Sequence, residues 1–288
     1  MHLNGRGSAT TPPWSVSIPA MTPSHNDIDR INLRTMRSPE VVGQYAHPDM
    51  LLPHEAASLE HVLTEVRGGS ILDIGVGAGR TVKPLLKVSP DYLGIDYSQE
   101  MIAACRAKYP GIRFEHADAR RLNLVPDASI TLAVFSCNGV SMVGHDDRVL
   151  IMREVHRVLK PGGVFLFTTY NRNSPEAQAG FCFPEFEFSA NPARLAVRVA
   201  RYLRDTAISA RQRWQNLKHE VHAPDYAVIN DKCHLHGVML YYITLANQRL
   251  QLEAAGFQAE ALAFDNTGQR ITQDTTLDSM ALVARKPG

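Results

Sequence analysis

The sequence lacks several features that would place a protein quickly. It has no excess charge of either sign: 30 Lys and Arg stand against 29 Asp and Glu, a net of +1 over 288 residues with His neutral. No global field therefore holds the chain to nucleic acid or to an anionic membrane, although local patches stay open. Long apolar runs are missing too, and none approaches the roughly 18 to 20 residues that a membrane helix requires. Cysteine is scarce: Cys105, Cys137, Cys182 and Cys233 lie far apart, without the paired spacing of a zinc site or a redox disulfide, and read as mostly buried thiols. The first twenty residues hold no continuous apolar block and do not read as a secretory signal, so the expected location is the cytoplasm.

What is present suits a globular chain of one large domain or two small ones, 44% hydrophobic and 20% charged, and excludes disorder of the whole. His47, His54 and His61 recur every seven residues, but Pro48 and Pro53 interrupt any helix that would align them, so they are expected to face solvent or bond locally. His234 and His236 would share one face of a strand, yet no third ligand is spaced to complete a site. No metal is expected.

Residues 1–26, with Pro12, Pro13, Pro19 and Pro23 among small polar residues, read as a flexible tail. The next stretch is helical in two pieces broken before Pro39, with Ser38 as the cap of the second. A further helix over 53–67 sets Ala56, Leu59, Leu63 and Val66 on one face and stops at Gly68-Gly69. Short apolar runs then alternate with helical stretches: strands at 70–75, 92–97, 112–118, 130–136 and 163–170, helices at 80–87, 98–109 and 146–159. Such alternation implies right-handed crossovers and a parallel sheet with helices on both faces, and ligands in such sheets bind beyond the carboxyl ends of the strands.

Those ends carry the informative residues. The first strand, ILD, opens into a loop where Asp73, Gly75, Gly77 and Gly79 alternate. Glycine is needed where the backbone turns tightly and a ligand approaches it. A nicotinamide loop would have its third glycine where Arg80 stands, and no GK[ST] follows, so neither the dinucleotide fingerprint nor a P-loop is present. The second strand ends in Asp96, placed to accept from the hydroxyls of a ribose, and the third in Asp118-Ala119, at the same sheet edge. Together they read as a nucleoside site.

Here the sequence resembles the class I S-adenosylmethionine-dependent methyltransferases, through ILDIGVGAGR (71–80), YLGIDYSQEMI (92–102), FEHADARRL (114–122), ITLAVFSCNGV (130–140) and VHRVLKPGGVFLF (155–167). The resemblance implies an α/β fold, a doubly wound Rossmann-like sheet of seven strands, mostly parallel with the last antiparallel, and a helical lid insertion. It implies S-adenosylmethionine as cofactor. Gly75, Val76 and Gly77 would pass under its methionine part, with Asp73 supporting the loop and the ammonium group. Asp96 would hold the ribose, Tyr97 and Met101 would flank the adenine, and Asp118 with the backbone of Ala119 would read its edge. Ser136 would lend its carbonyl to the ammonium, and Tyr45 would close over the cofactor. The organisation implied is a tail (1–26), helices covering the cofactor (27–69), a cofactor-binding core (70–170), a helical lid (171–236) and the C-terminal part of the core (237–288).

The cofactor carries an activated methyl, so the protein chiefly aligns a nucleophile and excludes water. Where a base is needed, His145, Tyr170 and a histidine of the later cluster are the candidates. Asn138, Tyr241 and Tyr242 are candidates for lining the acceptor pocket. The lid is dense in arginine; on a helix Arg194, Arg198 and Arg201 form a basic stripe, and Leu195, Val199, Tyr202 and Leu203 make apolar contacts. The expected function is methyl transfer to oxygen or nitrogen of a small metabolite, with no nucleic-acid or membrane partner, in a monomer or homodimer. Its rivals are an RNA methyltransferase using the basic lid and a non-methylating cofactor-binding protein. Against the first, the chain has no NPPY-type motif, no paired catalytic cysteines and no appended RNA-binding module.

Overall fold

The computed structural model describes residues 27–45, 49–258 and 261–288; the tail at 1–26 and His47 lie outside them. Helices α1 (Asp27–Met36), α2 (Pro39–Tyr45) and α3 (Pro53–Val66) come first. Then β1 (Ile71–Ile74), α4 (Val82–Leu86), β2 (Tyr92–Asp96), α5 (Gln99–Lys108), β3 (Phe114–His116), β4 (Ile130–Phe135), α6 (His145–Val158) and β5 (Leu159–Asn171) follow one another. Beyond β5 lie α7 (Pro175–Gln178), α8 (Pro192–Asn216), β6 (Val221–His222), β7 (Tyr226–Asp231) and a short turn, α9 (Cys233–His236). The chain closes with β8 (Val238–Ile243), α10 (Leu245–Ala254), β9 (Leu262–Asp265), β10 (Arg270–Ile271) and β11 (Ser279–Arg285).

The main sheet runs β3-β2-β1-β4-β5-β11-β9, with β10 added at the edge. Strands β1 to β5 pair in parallel, and β11 is antiparallel to both its neighbours. The seven expected strands and the antiparallel last one are therefore present. Side chains alternate across the sheet as the two-residue period demands. Leu72, Ile74, Ala133, Phe135, Phe165 and Phe167 pack with Ile151 and Val155 of α6 and Leu252 of α10. Ile71, Leu132, Val134, Val164 and Leu166 face the other way, onto Val62 and Val66 of α3, Leu85 of α4 and Cys105 of α5. Two apolar layers on one sheet make it doubly wound.

Several local expectations change. The lid segment 171–236 is not wholly helical: β6 and β7 belong to it, and with β8 they form a three-stranded extension. It hangs on the end of β5, where Tyr170 and Asn171 pair with Tyr242 and Ile243. The runs YAVIND and VMLYYI are almost wholly buried, as strands covered on both faces must be. His234 and His236 sit on the α9 turn instead of a strand, because His234, Leu235 and His236 all take positive φ. On α3 the buried face holds His54, Glu55, Leu59 and Val62, and Ala56 is exposed. The helix is rotated because Glu55 turns inward. His54, expected to face solvent or bond locally, is buried with both ring nitrogens unbonded, and burial pushes its pKa down. Of the cysteines only Cys105 is buried.

Two buried polar side chains tie the outer pieces to the core. Asn32 of α1 donates to the carbonyls of Met142 (2.7 Å) and Met239 (2.8 Å) and accepts from Met239 N (2.7 Å), which holds α1 against β8. Arg148 of α6 is fully buried, and among the described residues no carboxylate pairs with it. Its guanidinium donates to Val140 O (2.8 Å), Thr169 Oγ1 (3.0 Å), Gln248 Oε1 (2.6 Å) and Gln251 Oε1 (3.0 Å), and lies 4.6 Å from the Tyr241 ring centre. Burial lowers its pKa to about 10, so it stays charged at neutral pH. Replacing Arg148 with Met should strand these acceptors and cost about 3 kcal/mol, read as a fall in the urea midpoint; an unchanged midpoint would show that the acceptors find other donors.

Candidate functional site

The order of strands reverses between β1 and β4, the switch point where open α/β sheets bind ligands. A cavity of about 690 Å³ opens there. Its floor is Ile74, Gly75 and Gly77 at the end of β1, Asp96 and Tyr97 at the end of β2, Asp118 and Ala119 after β3, and Phe135, Ser136 and Asn138 at the end of β4. Leu33, Met36 and Tyr45 of α1 and α2 line it from the N-terminal helices, and Tyr170, Cys233, His234, Val238 and Leu240 from the lid side.

The glycine loop needs its glycines. Gly75 and Gly77 have φ of +64° and +56°, in the left-handed region. A Cβ on Gly75 would strike Phe135 at 2.5 Å, whereas at Gly77 it would enter open cavity, with only Tyr45 Cδ1 at 4.0 Å. Gly77 thus lets a ligand lie on bare backbone. Its N–H donates to Asp96 Oδ2 at 2.9 Å, and Ser98 N donates to Asp96 Oδ1 at 2.8 Å. Burial pushes the Asp96 carboxyl up, and these backbone donors oppose it.

Asp73 lies beneath the loop, outside the cavity wall and fully buried. Its Oδ2 accepts from Thr81 Oγ1 and Tyr92 OH, each at 2.6 Å, while Oδ1 is left without a partner. Burial pushes its pKa up to about 6. Asp118 binds Arg120 through Nε (3.0 Å) and an end nitrogen (2.7 Å); Arg120 also bonds Asp29 and Asp147 and lies 5.3 Å from the Tyr97 ring centre. Val76 and Met101 complete the set of expected residues on the wall.

Besides Asp73, three expected residues do not reach the cavity. Nδ1 of His145 sits 2.9 Å from Tyr241 OH, and its ring stacks on Tyr226 at 4.2 Å. Tyr241 is fully buried over Arg148, and Tyr242 donates to Asp231 at 2.5 Å. These two stand on a strand, not at a helix start, so both rings are packed inside the lid extension. Tyr170 does line the cavity, beside Cys233 and Asn138, and His234 is the member of the later histidine cluster that joins it. Burial holds His234 below the usual histidine value, so it is neutral at pH 7.

Sequence reasoning missed Glu55 and Arg80. Arg80 donates two parallel bonds to Glu55, at 2.7 and 2.8 Å, and the same carboxylate accepts from Leu52 N (2.8 Å) and Cys137 N (2.9 Å). One buried group thus joins the start of α3, the glycine loop and the turn after β4. The available signal was a Glu three residues into a helix that follows Leu52, the position from which a carboxylate reaches back to the chain.

Residues 71–163 match a family model described as a methyltransferase domain. Over these residues the chain is similar to a methyltransferase domain. A probable S-adenosylmethionine-dependent methyltransferase of Mycolicibacterium smegmatis is 35% identical over 106 residues, 36% of this chain and 39% of that protein. A demethylmenaquinone methyltransferase of Chlorobaculum parvum is 37% identical over 98 residues, 34% of this chain and 39% of that one. The matched part thus spans about two fifths of the length of these curated relatives. Among solved structures, the CcbJ methyltransferase of Streptomyces caelestis superposes with a TM-score of 0.59 at 17% identity, over 89% of this chain and 99% of that one, a likeness of fold.

Burial alone would raise the Glu55 carboxyl, but the Arg80 bonds and charge outweigh it and hold it below the ordinary value. A depressed folded value means that this stabilisation is complete above the unfolded value of about 4.3 and is lost as pH falls through the folded one. Glu55→Gln should cost about 3–5 kcal/mol at pH 7, because Arg80 keeps a buried charge without its partner. Urea titrations at pH 7 and pH 3 should show that gap narrowing in acid; an equal gap at both would assign it to lost packing.

Proposed function

We propose that this chain transfers a methyl group from S-adenosylmethionine to an oxygen or nitrogen of a small molecule. The observation that carries the reading is the bare Gly77 backbone beside the Asp96 carboxylate at the switch point of the sheet. Asp96 has lone pairs left for ribose hydroxyls after its two backbone bonds, and Gly75 to Gly77 leave room for the methionine part. Tyr97 and Met101 flank the place for an adenine, whose edge Asp118 and Ala119 N would read. The carbonyl of Ser136, which already accepts from Gly139 N at 3.0 Å, has a second lone pair for the ammonium. Tyr45 closes this half from above.

S-adenosylmethionine, when bound, supplies the activated methyl. The chain's own residues then have to hold an acceptor in line and dry. The far end of the cavity is suited to this: Met142, Tyr170, Cys233, Val238 and Leu240 are apolar or nearly so, and both arginines on the wall are held by carboxylates, Arg80 by Glu55 and Arg120 by Asp29, Asp118 and Asp147. A neutral, largely apolar acceptor fits such a wall better than an anion, since no cation is left uncommitted there. The name of the demethylmenaquinone relative supports a small-molecule acceptor. Neutral His234 on this wall is the group to take a proton leaving that acceptor, since burial pushes the Tyr170 hydroxyl well above its ordinary value and keeps it protonated.

Calorimetry should detect S-adenosylhomocysteine binding to the purified protein. Asp96→Ala should weaken it by about 1.5–3 kcal/mol, the scale of hydrogen bonds to a charged acceptor. No heat at millimolar ligand would end the reading, and an unchanged affinity in the variant would move the ribose away from Asp96.

A further inference from the structure

Helix α8 turns its apolar stripe away from the protein. It is a 25-residue helix in which Ser209 and Asn216 alone are buried. The side that meets the rest of the chain is polar: Arg198 donates to Phe188 O at 2.6 Å, and Asn216 donates to His236 O at 3.1 Å. On the outer side, Ala200, Leu203, Ala207, Ala210, Trp214 and Leu217 recur at alternating spacings of three and four and are all exposed. That is one continuous seam of a helix. Leu203 is 61% exposed and Trp214 80%, and Phe188, in the segment bonded to Arg198, is 72% exposed. The expectation that Val199 and Leu203 make contacts inside the protein is thereby overturned: both face outward.

Charge selects what can cover this seam. Arg204 and Arg211 border it. The helix has a single acid, Asp205, which stands on the opposite side and bonds Arg204 at 2.8 Å. Two copies of α8 packed seam to seam would bring these arginines together with no carboxylate of the helix on the seam to answer them. The partner must therefore be anionic as well as apolar. Among the described residues no helix is long and apolar enough to cross a membrane. An amphipathic helix with aromatic and aliphatic residues on one side and arginines at its border lies in the plane of a bilayer surface. We infer that α8 docks this chain on anionic lipid, with Leu203 and Trp214 entering the headgroup layer and Arg204 and Arg211 meeting lipid phosphates. The near-zero net charge does not oppose this, because the effect is confined to one helix. The inference does not depend on which acceptor the cavity takes.

The chain has two tryptophans, so a Trp14→Phe background leaves Trp214 as the reporter. Vesicles of phosphatidylcholine containing phosphatidylglycerol should shift its emission to the blue and carry the protein into the pellet. Vesicles of phosphatidylcholine alone should do so weakly or not at all. Arg204→Gln with Arg211→Gln should weaken vesicle binding about 30-fold, and Leu203→Asp should abolish the shift, with S-adenosylhomocysteine affinity unchanged in both. The inference is overturned by the absence of a shift with the anionic vesicles, by binding that the variants do not alter, or by a dimer in sedimentation that Leu203→Asp dissociates.

Discussion

The Glu55 carboxylate is the point on which the site depends. It accepts from the backbone where α3 begins, from both arms of Arg80 at the end of the glycine loop, and from Cys137 in the turn after β4. Cys137 and Asn138 both take positive φ there, a conformation that costs an ordinary residue about 1–3 kcal/mol and persists only where its surroundings fix it. The bond to Cys137 N is part of that fixing. Because β1 and β4 are neighbours at the switch point, a single buried group can hold both of their carboxyl-terminal loops.

Around this centre the charges of the cavity are neutralised locally. Arg80 answers Glu55, and Arg120 answers three aspartates drawn from α1, the end of β3 and α6. The wall is polar where backbone and carboxylates meet, at Gly77 and Asp96, and apolar toward the lid extension. Buried ion pairs of this kind add little stability in themselves, but removing one partner leaves a charge stranded. They act here to fix the positions of loops that a ligand has to cross. The basic lid read from the sequence does not alter this interior: its arginines lie on α8, whose apolar stripe points to solvent.

The sheet and its order of strands were legible because each strand is a short apolar run with glycine, aspartate or proline at its ends, and those signals are local. The strand-end residues were legible for the same reason: Gly75, Gly77, Asp96 and Asp118 come together wherever such a sheet forms. What the sequence hid depends on contacts between distant segments. Glu55 and Arg80 are 25 residues apart, and nothing local says that they meet. The strands β7 and β8 were obscured because the α9 turn between them relies on three successive residues of positive φ, none of them glycine. Tyr241 and Tyr242, candidates for the acceptor pocket, stand on a strand covered on both faces, and their rings are core. The direction in which α8 faces was equally hidden, since an amphipathic pattern shows that a helix has two sides and not which side meets the protein.

The central claim is that a nucleoside cofactor lies across the ends of β1, β2 and β3, over Gly77 and against Asp96. A crystal structure of the chain grown with S-adenosylhomocysteine tests it most directly. The account predicts the ribose hydroxyls within hydrogen-bonding distance of the Asp96 carboxylate and the adenine between Tyr97 and Met101. Ligand density elsewhere, or a ribose with no contact to Asp96, would contradict it.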